Sequence, residues 1–250
     1  MDQTKEAFLS LTELSLSTYK GVVFEQVSLQ AGSSELVAFC GHRATGKSAL
    51  LLSIAGHMHT SSGRLRVNGI DGSSASGRKR IQAMSGKSVF EGINDLPDSL
   101  SVISVLKAEV QDINSLARFA DKLEQEEQEG NANSTKAQGA IKKLSSGERE
   151  AIYRRYLRVW DLEKLAHEQI KNLSGKQQVR LGIALACVDN AKLVLVNDIE
   201  DELTLNQSLD LMALLKRVAH SCNICICVGM VERALAQEAD KVVYLAKEGK

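Results

Sequence analysis

The first part of the chain is organised in short apolar blocks. VVFEQVSL (22–29) and ELVAFC (35–40) are β-rich and separated by the turn Ala31-Gly32-Ser33-Ser34. KSALLLSIA (47–55) is a helix-like apolar run closed by Gly56. GRLRVNG (63–69) alternates between two glycines, as a half-buried strand does. From 99 to 170 the character turns helical, with Val102, Val105, Leu106 and Val110 at helical spacing. EQEEQEGNANSTKAQG (124–139) interrupts that region, and its polarity and glycines predict a mobile linker. The last stretch alternates: helix 175–188, strand LVLV (193–196), helix 206–219, strand ICICV (224–228), helix 231–238, strand VVYL (242–245). Strands alternating with helices of this length imply a parallel α/β core. No internal repeat is present.

Composition narrows the function. The chain has 250 residues, enough for one large domain or two small ones, with ordinary globular proportions of 44% apolar and 25% charged residues. Lysine and arginine number 31, as do aspartate and glutamate, giving zero net charge. Phosphate neutralisation needs surplus cations, so no nucleic-acid partner is expected. No apolar run is long enough for a spanning helix, and MDQTKEAFLS lacks the basic start and apolar run of a secretory signal. Five cysteines without such a signal point to a reducing cytosol.

The sharpest motif is Gly41-His42-Arg43-Ala44-Thr45-Gly46-Lys47-Ser48, which fits G-x-x-x-x-G-K-S/T. A buried strand leads into the loop and a helix leaves it at Lys47. Backbone N–H groups of such a loop and of the helix start surround an anionic phosphate chain. Lys47 would reach the β- and γ-phosphates, and the Ser48 hydroxyl would ligate Mg²⁺. The motif thus implies nucleotide binding.

Further residues carry a family resemblance. Asn172-Leu173-Ser174-Gly175-Lys176-Gln177-Gln178 resembles the LSGGQ signature of ATP-binding cassette (ABC) ATPases, and LVLV runs into Asn197-Asp198 where that family ends its Walker B strand. Tyr19 in STYKG looks like the aromatic residue that stacks on adenine. Gly56, Gly63 and Gly69 match the family's glycines after the first helix. Leu96-Pro97-Asp98 resembles the entry into its helical subdomain, and Ala239-Asp240 begins a similar closing strand. The resemblance covers residues 10–249. It implies an α/β P-loop ABC-type nucleotide-binding domain with an N-terminal antiparallel β segment and an inserted helical subdomain. The expected organisation is a single domain over 1–250, with the core at 1–95 and 187–250 and the helical subdomain at 96–186. The implied cofactors are ATP and Mg²⁺. The implied nucleotide contacts are Tyr19, Gly41, Arg43, Ala44, Thr45, Gly46, Lys47, Ser48 and Ala49, with Ser174 and Gly175 facing a partner's ATP. Ser48 and Asn197 are the implied Mg²⁺ contacts. Family members pair head to tail, phosphate loop against signature. The implied partners are therefore a second ABC subunit, identical or not, and a membrane-spanning transporter subunit. The implied place is cytoplasmic, peripheral on the inner face of the membrane. The leading function is an ATP-binding transporter subunit; the alternative is a catalytically degenerate regulatory or scaffolding module. A DNA-repair or translation relative fits less well, for want of long coiled coils, zinc modules or tandem cassettes.

The chain departs from the family where water is activated. Asn197 replaces the Mg²⁺-holding aspartate and loses its charge. Asp198 replaces the catalytic glutamate and is the candidate base, but it is one methylene shorter, a misplacement of about an ångström that can cost on the order of 10²-fold. A one-residue slip would instead make Asp198 the metal ligand and Glu200 the base, at the expense of the spacing. Counting back from Asp240 puts Met230 at the family's switch histidine. The family's glutamine interval from Lys47 falls on Gly86 or Lys87, with Gln82 nearby. Thr204 takes the place of the aspartate that follows Walker B, and Lys176 that of the second signature glycine. Hydrolysis at the chain's own site is expected to be impaired.

Other motifs have plainer readings. Leu144-Ser145-Ser146-Gly147-Glu148 imitates a signature but stands 53 residues before Asn197, so a serine-capped helix start is expected. Cys222, Cys225 and Cys227 read as part of a core strand. His57 and His59 read as surface residues of a turn, and His167 and His220 as helical residues without a special role. His42 belongs to the phosphate loop, where variable positions usually face solvent. Arg154, Arg155 and Arg158 read as a solvated helix face.

Overall fold

Leu36 to Cys40 are apolar and buried at every position, as a strand covered on both faces requires. The computed structural model describes residues 7–90, 95–129 and 144–246. In chain order these form β1 (Leu9–Thr18), β2 (Gly21–Ala31), β3 (Leu36–Cys40), α1 (Lys47–Ile54), β4 (Ser62–Val67), β5 (Ile70–Asp71), α2 (Ala75–Met84) and β6 (Ser85–Lys87). There follow α3 (Val102–Glu109), α4 (Ile113–Glu129), α5 (Ser146–Val159), α6 (Gly175–Ala186), β7 (Leu193–Val196), α7 (Leu205–Cys222), β8 (Cys225–Met230), α8 (Arg233–Ala236) and β9 (Lys241–Tyr244).

The strands build two sheets. An antiparallel four-stranded sheet has the order β2-β1-β4-β5, and a parallel five-stranded sheet has the order β6-β7-β8-β3-β9. Alternate residues of β3 serve two cores. Val37 and Phe39 pack with α1 and the antiparallel sheet, while Leu36, Ala38 and Cys40 pack with α5, α6 and α7. The α/β class and the antiparallel N-terminal segment agree with the expectations from sequence.

Three differences have local causes. β1 was not expected from the pattern, although Leu9, Leu11, Leu14 and Leu16 are all buried. An irregularity between Leu11 and Leu14 breaks the two-residue period, with Glu13 at φ 48° and its N–H bonded to Ser28 Oγ at 2.9 Å. α2 is also unannounced, because only Gly77 and Ile81 along it are buried and its start rests on the Ser74 cap. The expected linker begins inside α4, so 124–129 are helical; 130–143 lie outside the described residues.

The signature-like Ser145 to Glu148 is the expected helix start. Ser145 Oγ accepts the Glu148 N–H at 3.3 Å, and Glu148 Oε2 accepts the Ser145 N–H at 2.7 Å, a reciprocal cap on α5. Cys225 and Cys227 are buried in β8 on the β1–β4 side, whereas Cys222 closes α7 on the other core. Arg155 is tied to Asp121 and Glu124, and Arg158 to Glu163, so these arginines form ion pairs within the helical region instead of a simply solvated face.

Candidate functional site

β3 delivers the chain into residues 41–46 at the carboxyl end of the parallel sheet, where open α/β sheets present their ligand crevice. The loop is pinned by the Gly41 N–H to Met230 O at 3.0 Å and by Thr45 Oγ1 to His42 O at 2.9 Å. Gly46 sits at φ 85° directly before α1, with its α-carbon against the Val23 carbonyl, so a side chain there would collide with backbone. Ala44 holds φ 62° without being glycine, a strained position of the kind found where backbone geometry serves a site.

Two features fit an anion. No side chain caps α1, which leaves its first N–H groups facing the loop. The Lys47 ammonium is buried, donating to the carbonyls of Gly41 at 2.9 Å and His42 at 3.0 Å. A buried ammonium whose hydrogen bonds go to two neutral carbonyls has positive charge to offer an anion at this loop. Arg43 projects outward, its guanidinium 2.6 Å from Asp201 Oδ1. Ala49, half-buried on α1, packs against the inner core.

The end of β7 meets this loop from the side. Ser48 Oγ donates to Asn197 Oδ1 at 2.9 Å, which brings the two expected metal contacts together. Asn197 Nδ2 then donates to Asp198 Oδ2 at 3.0 Å, a bond an aspartate at 197 has no proton to make once ionised. Burial pushes the Asp198 carboxyl above its ordinary pKa; Lys47 opposes that rise and Asp201 adds to it. Phosphate therefore fits the loop well. A hard divalent cation finds only two neutral oxygens at Ser48 and Asn197 and would depend on a nucleotide's own phosphates for charge.

Other expected positions are scattered around this centre. Tyr19 stands at the tip of the β1–β2 hairpin, 94% exposed, on the arm whose Val23 touches Gly46. Ser174 caps α6, and its N–H donates to Gln177 Oε1 at 2.8 Å. Gly175 abuts the Glu202 side chain, which fills the space a β-carbon would need. Met230 is fully buried at the end of β8. Gly86 and Lys87 lie inside β6, with Gly86 pressed against the Ala186 backbone, so the count from Lys47 lands in the strand before the loop it was meant to find.

Sequence reasoning did not anticipate the role of Glu200. Its two carboxylate oxygens accept the N–H groups of Val231 and Glu232, each at 2.7 Å, fastening the loop after Met230. Both oxygens of the residue that the slipped alignment would make the base are thus engaged by backbone N–H groups. The signal available in the sequence was the acidic run after Asn197, whose partner loop is fixed only by the fold.

A glycine-bearing loop between a buried parallel strand and an uncapped helix, closed over a buried lysine, defines a phosphate-loop protein. The profile of the ABC transporter family matches residues 24–200, and the chain belongs to that family. It is 26% identical over 228 residues to a phosphonates import ATP-binding protein, PhnC 2, of Oceanobacillus iheyensis, covering 89% of this chain and 80% of the relative. It is 24% identical over 215 residues to the iron(3+)-hydroxamate import ATP-binding protein FhuC of Bacillus subtilis, covering 84% and 68%. Among solved structures, a dimeric post-hydrolysis ATP-binding cassette bound to ADP and Pi superposes with a TM-score of 0.66 at 21% identity, covering 95% of this chain and 94% of that one. The cbiO1 protein of Clostridium perfringens, part of the transporter complex cbiONQ, superposes at 0.69 and 21% identity, covering 96% and 85%. These likenesses establish the cassette fold.

Proposed function

We propose that this chain is the ATP-binding subunit of an ABC transporter and couples ATP binding to a separate membrane subunit. The observation that carries the reading is the buried, carbonyl-held Lys47 behind an uncapped helix start, in a chain of this family. The backbone of residues 41–49 and the Lys47 ammonium hold the phosphates, Ser48 meets Mg²⁺ together with phosphate oxygens, and Tyr19 stacks on the base. Ser174 and Gly175 face the ATP of a paired cassette. The relatives named as import ATP-binding proteins support a transporter role. No helix among the described residues is long and apolar enough to cross a membrane, and on this reading a separate subunit makes the membrane passage. A cleft of about 410 Å³ lined by Lys87, Leu96, Pro97, Val105, Glu109 and Leu185 offers that subunit a seat between β6, α3 and α6. The chain then works in the cytoplasm, on the inner face of the membrane.

Hydrolysis at this chain's own site is slow on the same reading. Neutral Asn197, the short side chain of Asp198 and apolar Met230 leave a displaced base, no second carboxylate and no polar contact at the switch position. The test is calorimetric titration of the purified chain with MgATP, followed by steady-state ATPase rates. Saturable ATP binding with weak turnover is expected. Absence of binding refutes the ATP-subunit reading, and fast turnover by the isolated chain refutes the assignment of slow hydrolysis.

A further inference from the structure

Positive charge is unevenly placed in this neutral chain. Residues 62–87 hold six of its 31 lysines and arginines but one of its 31 carboxylates, Asp71, so the remainder of the chain is net acidic. The fold gathers these cations. Arg64 and Arg66 alternate with buried Leu65 and Val67, which puts both on the outer face of β4. Arg66 stands opposite Asp71 in the β4–β5 register, and Asp71 Oδ1 accepts the Ser73 N–H at 2.8 Å. α2 begins against that turn. Gly77 packs on the Asp71 carbonyl, and the Arg78 guanidinium donates to the carbonyls of Ser73 at 2.8 Å and Gly72 at 3.4 Å, acceptors that carry no charge. Lys79 and Arg80 follow on α2 and are exposed, as are Arg64 and Arg66. Among the described residues no ion pair includes any of these four.

The patch adjoins the cleft offered above to the membrane subunit. Lys87 lines that cleft. Gly56, after α1, rests against the Arg78 backbone, and at the next residue burial and then the Lys87 ammonium hold the His57 imidazole below its ordinary pKa. Arg78 and Lys87 therefore flank one turn, and the cationic surface lies on the side that the cleft turns to the membrane. Leu65, Val67, Ile70 and Ile81 beneath it are buried, so the surface presents charge without the apolar anchors on which docked protein segments depend. Anionic headgroups need no such anchor, and each Lys or Arg brought to a bilayer that carries them is worth about fivefold in partition.

We propose that the surface formed by Arg64, Arg66, Lys79 and Arg80 binds anionic phospholipid headgroups and orients this chain on the bilayer beside its membrane subunit. The orientation rests on the ATP-subunit reading above, whereas the charge of the surface does not.

Flotation of the purified chain with vesicles tests it, comparing phosphatidylcholine alone with phosphatidylcholine containing about one-third phosphatidylserine, in about 0.1 M salt. The wild type should bind the anionic vesicles at least about 10²-fold more tightly than the neutral ones, and should be released near 1 M salt, where screening shortens to ~3 Å. Arg64→Gln with Arg66→Gln, and separately Lys79→Gln with Arg80→Gln, should each weaken that binding at least about tenfold. Lys164→Gln with Lys171→Gln removes two exposed cations elsewhere and should leave it within about twofold. Circular dichroism checks that each variant is folded. Equal binding to both vesicles, or to neither, overturns the lipid assignment, as does an equal loss in the Lys164 and Lys171 variant. Displacement from the vesicles by a short DNA duplex or by poly-glutamate at matched charge also overturns it, the first pointing to a nucleic acid and the second to an acidic protein segment. ATP titration of the same preparation separates the two readings. A chain that binds anionic vesicles but not ATP sinks the ATP-subunit reading, while one that binds ATP and ignores the vesicles sinks only the lipid surface.

Discussion

At the phosphate loop, Lys47 is buried against two carbonyls and α1 begins without a cap, an arrangement that gains most from an arriving anion. Across the Ser48–Asn197 contact, the end of β7 has an amide in place of a charge, a carboxyl lifted by burial, and a fully buried methionine where β8 ends. The first region is built to receive an anion; the second has one carboxylate, Asp198, where the resemblance implies two. On the proposed reading, holding and cleaving are therefore separable properties of one site. Catalytic groups that act as a unit are strongly non-additive, so alterations at several of them remove the function without multiplying its loss.

The strongest test of that contrast is Lys47→Ala. Removing the one buried cation of the loop should weaken ATP binding by roughly 10²-fold, in line with losing charge-assisted hydrogen bonds. Titration calorimetry with ATP measures it. An affinity within a few-fold of wild type would mean that the loop does not bind phosphate.

A smaller effect is expected from rebuilding the other region. Asn197→Asp with Asp198→Glu restores a charged metal contact and the longer carboxylate, and should raise the ATPase rate of the assembled complex about tenfold, some 1.4 kcal/mol of barrier. The same variant should make ATP binding more dependent on Mg²⁺, since its two adjacent carboxylates need a cation between them. An unchanged rate would move the defect to Met230 or to the paired cassette.

The phosphate loop is legible in the sequence because its glycines, lysine and serine act locally, between a strand and a helix that the apolar pattern also reveals. The capped start at Ser145 is legible for the same reason: both partners of the cap lie within four residues. β1 is obscured by the irregularity at Glu13, which shifts Leu14 and Leu16 out of phase with Leu9 and Leu11 while keeping all four buried. Glu200 cannot be assigned from sequence, since the N–H groups it holds lie 31 and 32 residues away and meet it only once β8 lies beside β7. The same holds for Arg43 and Asp201, whose pairing is 158 residues long-range. Local chemistry is written in order along the chain, whereas the device that fixes the loop after Met230 arises from topology.

Asp198→Asn isolates the electrostatic part of the contrast. Burial raises the carboxyl's pKa in the folded chain, so folding favours the protonated form. The sign follows from linkage: this group's contribution is intact below the pKa of the unfolded carboxyl and is lost as pH rises through the elevated folded value. Above that folded value the wild type carries the desolvation penalty and the asparagine variant none. The variant should thus be more stable by about 1 kcal/mol, within the range of other functional-site substitutions that relieve strain. Asparagine also tolerates the φ of 42° at this position and keeps an acceptor for Asn197 Nδ2. Thermal melts across pH 4 to 8 should show the gain shrinking towards zero on the acidic side; a gain independent of pH would assign it to packing.

Arg43→Ala should have the smallest effect. Its pair with Asp201 spans two exposed side chains, 82% and 51% accessible, and exposed ion pairs contribute roughly 0–1 kcal/mol. Stability should fall by no more than that, and less at high salt. ATP affinity should stay within a few-fold, since the buried cation is Lys47 and the guanidinium points away from it towards Asp201. A loss as large as that of Lys47→Ala would bring Arg43 into the phosphate cradle, and the division between a holding region and the acidic segment beside it would have to be redrawn at residue 43.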